Sequence, residues 1–255
     1  MALFKCSMAE VAANLKSVCD KISYAATKRA PEHQYYEPRL VAVSKLQSTV
    51  SIVSAYEAGQ RHFGENYVNE LVEKAYNPLI LERCKEIRWH FIGNLQRNKV
   101  NKVLCIPNLY VIETVNSDKL ANALNNSWPK FRKSDDSKLN VMVQVNTSQE
   151  EEKNGCDIEQ VSTLVKYVIE NCPNLKLMGI MTIGKFGYDI KNGPNPDFLC
   201  LIKCREKIRD ELGIDMKDIE LSMGMSNDYE HAIELGSTNV RVGSAIFGER
   251  PQKNN

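Results

Sequence analysis

The chain has 255 residues, 43% of them hydrophobic and 25% charged. That is the make-up of an ordinary globular protein with a sizeable core, and a lone α/β barrel needs about 250 residues. Thirty-three lysines and arginines offset 32 aspartates and glutamates for a net charge of +1, which gives no general reason to expect nucleic acid or an anionic membrane as partner. No apolar stretch approaches the ~20 residues needed to cross a bilayer, so a transmembrane helix is excluded.

Met1 to Glu10 contains one lysine and lacks both a long apolar core and a small-residue cleavage pattern, so no signal peptide is expected. The eight cysteines include no C-x-x-C, and the close pair Cys200 and Cys204 has helix spacing without a histidine cluster. Reduced thiols in a cytoplasmic protein are the expectation, with a mitochondrial pool left open.

An amphipathic segment from Met8 to Lys28 predicts a helix ahead of the first strand. From Leu40 onward, β-branched runs alternate with helical stretches at intervals of roughly 25 to 30 residues, the signature of repeated βα units. Strands are expected at Leu40 to Ser44, His62 to Gly64, Arg88 to Ile92, Leu109 to Glu113, Val141 to Asn146, Leu177 to Ile183, Glu220 to Ser222 and Asn239 to Val242. The intervening helices are expected over Ser51 to Ala58, Asn66 to Lys74, Ser117 to Asn126, Ile158 to Asn171, Pro196 to Leu212 and Tyr229 to Leu235. Eight such strands close a barrel. The expected fold is therefore α/β, a single (β/α)8 TIM barrel with an extra N-terminal helix, occupying residues 1–255 as one domain. The polar stretches Ser134 to Lys138 and Gly187 to Pro196 fall where connections are needed, so neither has to be an interdomain linker.

In such a barrel the loops after the strands form the functional face. The run V-A-V-S-K ends at Lys45. A lysine among apolar neighbours loses hydration, which favours the neutral amine, and a neutral amine attacks aldehydes to give Schiff bases. Near the other end, S-M-G-M-S-N-D (222 to 228) and R-V-G-S (241 to 244) supply small turns. Their backbone N–H groups, the Ser222, Ser226 and Ser244 hydroxyls, and Ser226 read as the N-cap of the following helix all suit a phosphate. Lysine for an aldehyde and glycine/serine turns for a phosphate together describe a site for pyridoxal 5'-phosphate. Arg241 lies between Val240 and Val242 and is expected to face the barrel mouth. It either donates to an unprotonated pyridine nitrogen, leaving the ring a poor electron sink, or forms a salt bridge with a carboxylate such as Glu65.

Two other patterns lead nowhere. G-I-M-T-I-G-K-F (179 to 186) places Phe186 where a phosphate-binding loop needs Ser or Thr for Mg²⁺, and its centre reads as strand. His33, His62, His90 and His231 form no metal-binding cluster in sequence, and His90 reads as a core or rim histidine.

The segments V-A-V-S-K (41 to 45), F-G-E-N-Y-V-N-E-L (63 to 71), W-H-F-I-G-N-L-Q-R-N-K (89 to 99), Q-V-N-T-S (144 to 148), G-I-M-T-I-G (179 to 184), L-S-M-G-M-S (221 to 226) and V-R-V-G-S-A-I-F-G-E-R (240 to 250) resemble, in order, the pyridoxal phosphate homeostasis proteins, also called proline synthase co-transcribed proteins. The resemblance implies a monomeric barrel like the N-terminal domain of alanine racemase, with the cofactor as a Schiff base on Lys45. It further implies that Asn66 contacts the ring side, Arg241 the pyridine nitrogen, and Ser222, Met225, Ser226, Gly243 and Ser244 the phosphate. The function implied is cofactor supply to apo-enzymes without catalysis; the alternative is an amino-acid racemase. A racemase needs a second base on the opposite face, supplied in that family by a separate domain, and this chain is expected to end with its barrel.

Overall fold

Leu40, Val41 and Ala42 are all buried, as a strand must be when helices cover one face and a filled barrel interior the other. The computed structural model describes residues 7–248 except 35, 151–153 and 186. The helix α1 (Met8–Thr27) precedes β1 (Arg39–Val43), α2 (Thr49–Glu57), β2 (His62–Glu65), α3 (Val68–Ala75), α4 (Pro78–Arg83), β3 (Arg88–Phe91), α5 (Val100–Leu104) and β4 (Leu109–Val115). The second half runs through α6 (Asp118–Ser127), β5 (Leu139–Gln144), α7 (Val161–Asn171), β6 (Leu175–Met181), α8 (Pro196–Leu212), β7 (Glu220–Met225), α9 (Tyr229–Glu234), β8 (Asn239–Val242) and α10 (Ser244–Phe247). Each strand pairs in parallel with the next, and β8 pairs with β1, closing the (β/α)8 barrel in chain order.

The extra N-terminal helix is present and starts where the residues dictate. Ser7 and Glu10 form a reciprocal capping box, which satisfies two otherwise orphaned N–H groups. Its inner stripe of Val11, Leu15, Val18, Ile22 and Ala25 is buried against α2, α9 and α10. Just past its end, Arg29 donates from Nε to the Ile233 carbonyl (3.0 Å) and from Nη1 to the Tyr36 carbonyl (2.6 Å). α1 and its tail thus brace the outside of the β7–β8 region.

Several strand limits differ from expectation, and the differences matter for the site. β1 stops at Val43, so Lys45 stands two residues beyond it in a turn. β7 continues to Met225, so Ser222, expected as its last residue, lies three residues short of its end. β5 and β6 end at Gln144 and Met181, so Asn146 and Thr182 both lie past their strands. The register of β7 against β8 shifts between Ser222 and Met225. Gly224 sits in that stretch at φ +96°, with space for a Cβ denied by Ala232 at 2.6 Å. A bulge of this kind re-aims the strand end, and here it carries the chain from the barrel wall into the turn at Met225 and Ser226.

Candidate functional site

At the C-terminal end of the strands a cleft of about 600 Å³ is lined by Lys45 and Asn66 on one side and by Met225, Ser226, Gly243 and Ser244 on the other, with Arg241 below. Val43, Ile92 and Ile183 give it apolar walls. That size and mixture of walls is typical of small-molecule sites. Seven of the eight expected site residues therefore converge on one cleft.

Ser222 does not join them. It is fully buried inside the barrel, where its hydroxyl donates to Glu113 Oε2 (2.6 Å) and accepts from Arg241 Nη1 (2.5 Å) and Asn239 Nδ2 (2.9 Å). Ser222, expected at the phosphate, is thus absent from the cleft's lining and is bonded beneath Arg241. The reason is its position within β7, three residues short of the strand end.

The reading of Ser226 as a helix cap is also corrected. Asp228 is the N-cap of the six-residue α9, with no side-chain cap bond. Ser226 Oγ instead accepts the Gly243 N–H (3.1 Å), which ties the turns after β7 and β8 together and leaves the serine's own proton to donate. The Met225 N–H is taken by Asp228 Oδ1 (2.6 Å). Burial pushes the Asp228 carboxyl above its usual range, against the opposing pull of that N–H and of Arg241.

Arg241 is buried beneath the cleft and also donates from Nη2 to the Thr182 carbonyl (2.7 Å). It does not pair with Glu65, whose Oε1 binds Lys74 Nζ (2.7 Å) and the Ser44 hydroxyl (2.6 Å). Burial pulls the guanidinium below its ordinary value, while Glu113 and Asp228 pull the other way; an arginine stays charged through such shifts. On the ring side, Asn66 Oδ1 is buried and has no hydrogen-bond partner within the protein, and such an atom calls for a donor from something that enters. Gly93 makes this corner possible, since a Cβ there would lie 1.8 Å from the Asn66 carbonyl oxygen.

Below Arg241 runs a chain of side chains that sequence reasoning missed, buried at Glu113 and His90 and reaching the surface at Arg88. Glu113 Oε1 meets His90 Nδ1 (2.6 Å), His90 Nε2 meets His62 Nδ1 (2.8 Å), and His62 Nε2 meets Arg88 Nη1 (3.4 Å). With Glu113 ionised, each ring has one consistent tautomer: Arg88 donates to His62, His62 to His90, and His90 to Glu113. Burial, then the neighbouring His90 and arginine charges, pushes His62 down to about 2. Burial also lowers His90, outweighing the opposing pull of Glu113. For Glu113, burial favours the neutral acid, but His90, Arg241 and Ser222 prevail and hold it at about 2. A carboxylate inside the apolar run V-I-E-T-V was the available signal for this network. Among the described residues no group of three metal-ligating side chains is assembled, and no helix is long and apolar enough to cross a membrane.

The alanine racemase, N-terminal domain family matches residues 24–251. The pyridoxal phosphate homeostasis protein of Homo sapiens is 51% identical over 236 residues, covering 92% of this chain and 85% of that protein. Its counterpart in Caenorhabditis elegans is 44% identical over 241 residues, covering 94% of each. The structure of PipY from Synechococcus elongatus with PLP bound superposes with a TM-score of 0.75 at 26% identity, covering 93% of this chain and 100% of that one. An alanine racemase from Corynebacterium glutamicum shares the fold with a TM-score of 0.69 at 13% identity, over 98% of this chain and 64% of that one. Sequence, barrel and cleft agree: the chain belongs to the pyridoxal phosphate homeostasis protein family, built on the fold of the alanine racemase N-terminal domain.

Proposed function

We propose that this protein binds pyridoxal 5'-phosphate in the cleft, holds it as a Schiff base on Lys45, and supplies it to apo-enzymes in the cytoplasm as a monomeric single-barrel carrier with no turnover of its own. The observation that carries the reading is the convergence of an amine, an unsatisfied amide oxygen, a buried guanidinium and two linked serine/glycine turns on one cleft. Relatives named for pyridoxal phosphate homeostasis and a solved neighbour with PLP bound support it.

The residues divide the work by chemistry. The Lys45 amine would hold the cofactor's aldehyde, since a neutral amine condenses with an aldehyde to a Schiff base with loss of water and without oxidation or reduction. Ser226, Gly243 and Ser244 surround the phosphate, with Ser226 donating its hydroxyl proton. Asn66 orients the ring side, and Met225 packs at the turn. When bound, the cofactor supplies an electron sink whose strength depends on protonation of its ring nitrogen. Arg241 is a donor only, so a nitrogen that it faces stays unprotonated and the sink stays weak. That weak sink supports supply over turnover.

Deuterium wash-in at the α-carbon of a panel of amino acids tests the absence of turnover, and mixing the loaded protein with an apo-enzyme tests supply. The expected results are negligible incorporation and measurable transfer. Incorporation at about 1 s⁻¹ or faster, lost in Lys45→Ala, establishes the racemase-like alternative instead.

A further inference from the structure

Lys45 projects from a turn whose backbone is held from both sides by one neighbouring helix. The peptide unit before Lys45 ends in the Ser44 carbonyl, which accepts from Lys74 Nζ at 2.6 Å. The unit after it begins with the Leu46 N–H, which donates to Glu70 Oε1 at 2.5 Å. Lys74 and Glu70 lie one turn apart on α3 and bind each other at 2.7 Å. The third donor of Lys74 goes to Glu65 Oε1 at 2.7 Å, and Glu65 in turn accepts the Ser44 hydroxyl at 2.6 Å. Lys74 is buried, with a side chain only 6% exposed.

This arrangement does more than stabilise α3 against the barrel. Leu46 has φ +63°, a left-handed conformation that a γ-branched residue adopts only when its surroundings enforce it. Two bonds hold it there: the Gln47 N–H closes the turn onto the Ser44 carbonyl (3.0 Å), and the Leu46 N–H itself is held by Glu70. An ammonium has three donors, and Lys74 spends all three within this cluster, so it is a strut and not a second amine for the cleft. We propose that Glu70 and Lys74 are positioning residues for Lys45: by fixing both of its flanking peptide units, they set the direction in which its amine enters the cleft. The inference rests on the reading that Lys45 carries the aldehyde, and it predicts a residue-specific penalty on that covalent bond alone.

The test compares pyridoxal 5'-phosphate with pyridoxine 5'-phosphate, which keeps the ring and the phosphate but has an alcohol in place of the aldehyde. Glu70→Ala removes the Leu46 partner while leaving Lys74 bound to Glu65 and Ser44. The rate of Schiff-base formation, followed by visible absorbance, is expected to fall about tenfold or more, the scale on which small misplacements of reacting groups act. Binding of pyridoxine 5'-phosphate is expected to change by less than about twofold, and Glu70→Gln, which keeps an oxygen for the Leu46 N–H, is expected to recover most of the rate. Lys74→Met, which leaves the Ser44 carbonyl with the Gln47 N–H as its remaining donor, is expected to give the same split between the two ligands. Parallel loss for both ligands, as general loosening of the fold would give, or an unchanged rate in Glu70→Ala, overturns the inference. Lys45→Ala in the same series separates the two levels: persistence of the absorbance there removes the underlying reading, whereas its loss alongside an unchanged Glu70→Ala removes only the positioning role.

Discussion

Ser222 and Ser226 are four residues apart in one short glycine-containing segment, yet they do different things, because one is still in the strand and the other is past its bulge. Ser222 spends its donor on Glu113 and serves Arg241 from below. Ser226 accepts from Gly243 and keeps its own proton for the cleft. If that proton meets a phosphate, Ser226→Ala removes a hydrogen bond to a charged group, worth about 1.5–3 kcal/mol. Affinity for pyridoxal 5'-phosphate should then fall roughly ten- to hundredfold, with affinity for unphosphorylated pyridoxal unchanged. Titration of both compounds against the variant measures this, and equal losses for the two would place the phosphate elsewhere. Lys45, Arg241, Ser226 and Ser244 were legible in sequence as chemically distinctive residues at strand ends or in small turns, whereas Asn66 came from the family resemblance; all five line the cleft. The partners of Arg241 were not, since alternation says which face a residue takes and nothing about which neighbour it meets across a closed barrel.

At the scale of elements, periodicity located all eight strands and the longer helices, and β8 and α8 have the limits that were expected. At the start of α8 the side chain of Asn195 caps Asp197 N ahead of Pro196, and at its end Gly213 takes a left-handed conformation. The four- to six-residue helices α4, α5, α9 and α10 carry too few turns to show a period, so α4, α5 and α10 escaped notice and α9 was assigned the wrong cap. The extension of β7 through Gly224 was hidden for a related reason. A glycine in a strand pattern reads as a stop, and only the β8 register and the close approach of Ala232 show that this one is a bulge. The same limits explain Lys45: local pattern ended the strand at Ser44, but pairing with β2 ends at Val43.

Across the whole molecule, the interior of the barrel carries a polar axis from Arg88 at one end to Arg241 at the other, with Glu113 as the anion that both ends donate toward. That axis makes stability depend on pH with a definite sign. His62 is held at about 2 from an ordinary 6.5, so below pH 6.5 the unfolded chain binds a proton that the folded one refuses. The penalty grows at up to about 1.4 kcal/mol per pH unit for such a group. His90 is shifted in the same direction. Glu113 is held at about 2 from 4.5, so its stabilising contribution is present above pH 4.5 and is lost as pH falls from there toward 2. Urea midpoints are therefore expected to fall steadily from pH 7 to pH 4.5, and His62→Gln, which keeps an N–H for His90 but does not titrate, is expected to flatten part of that slope. A midpoint independent of pH across this range, or a slope unaltered in His62→Gln, would contradict the neutral-histidine axis.

The central claim is that the amine presented beside β1 carries the cofactor. Borohydride reduction of the protein loaded with pyridoxal 5'-phosphate, followed by peptide mass spectrometry, tests it most directly. The predicted result is one phosphopyridoxyl group, on Lys45, absent from Lys45→Ala. Modification of a different lysine, or an adduct that survives in Lys45→Ala, would contradict it.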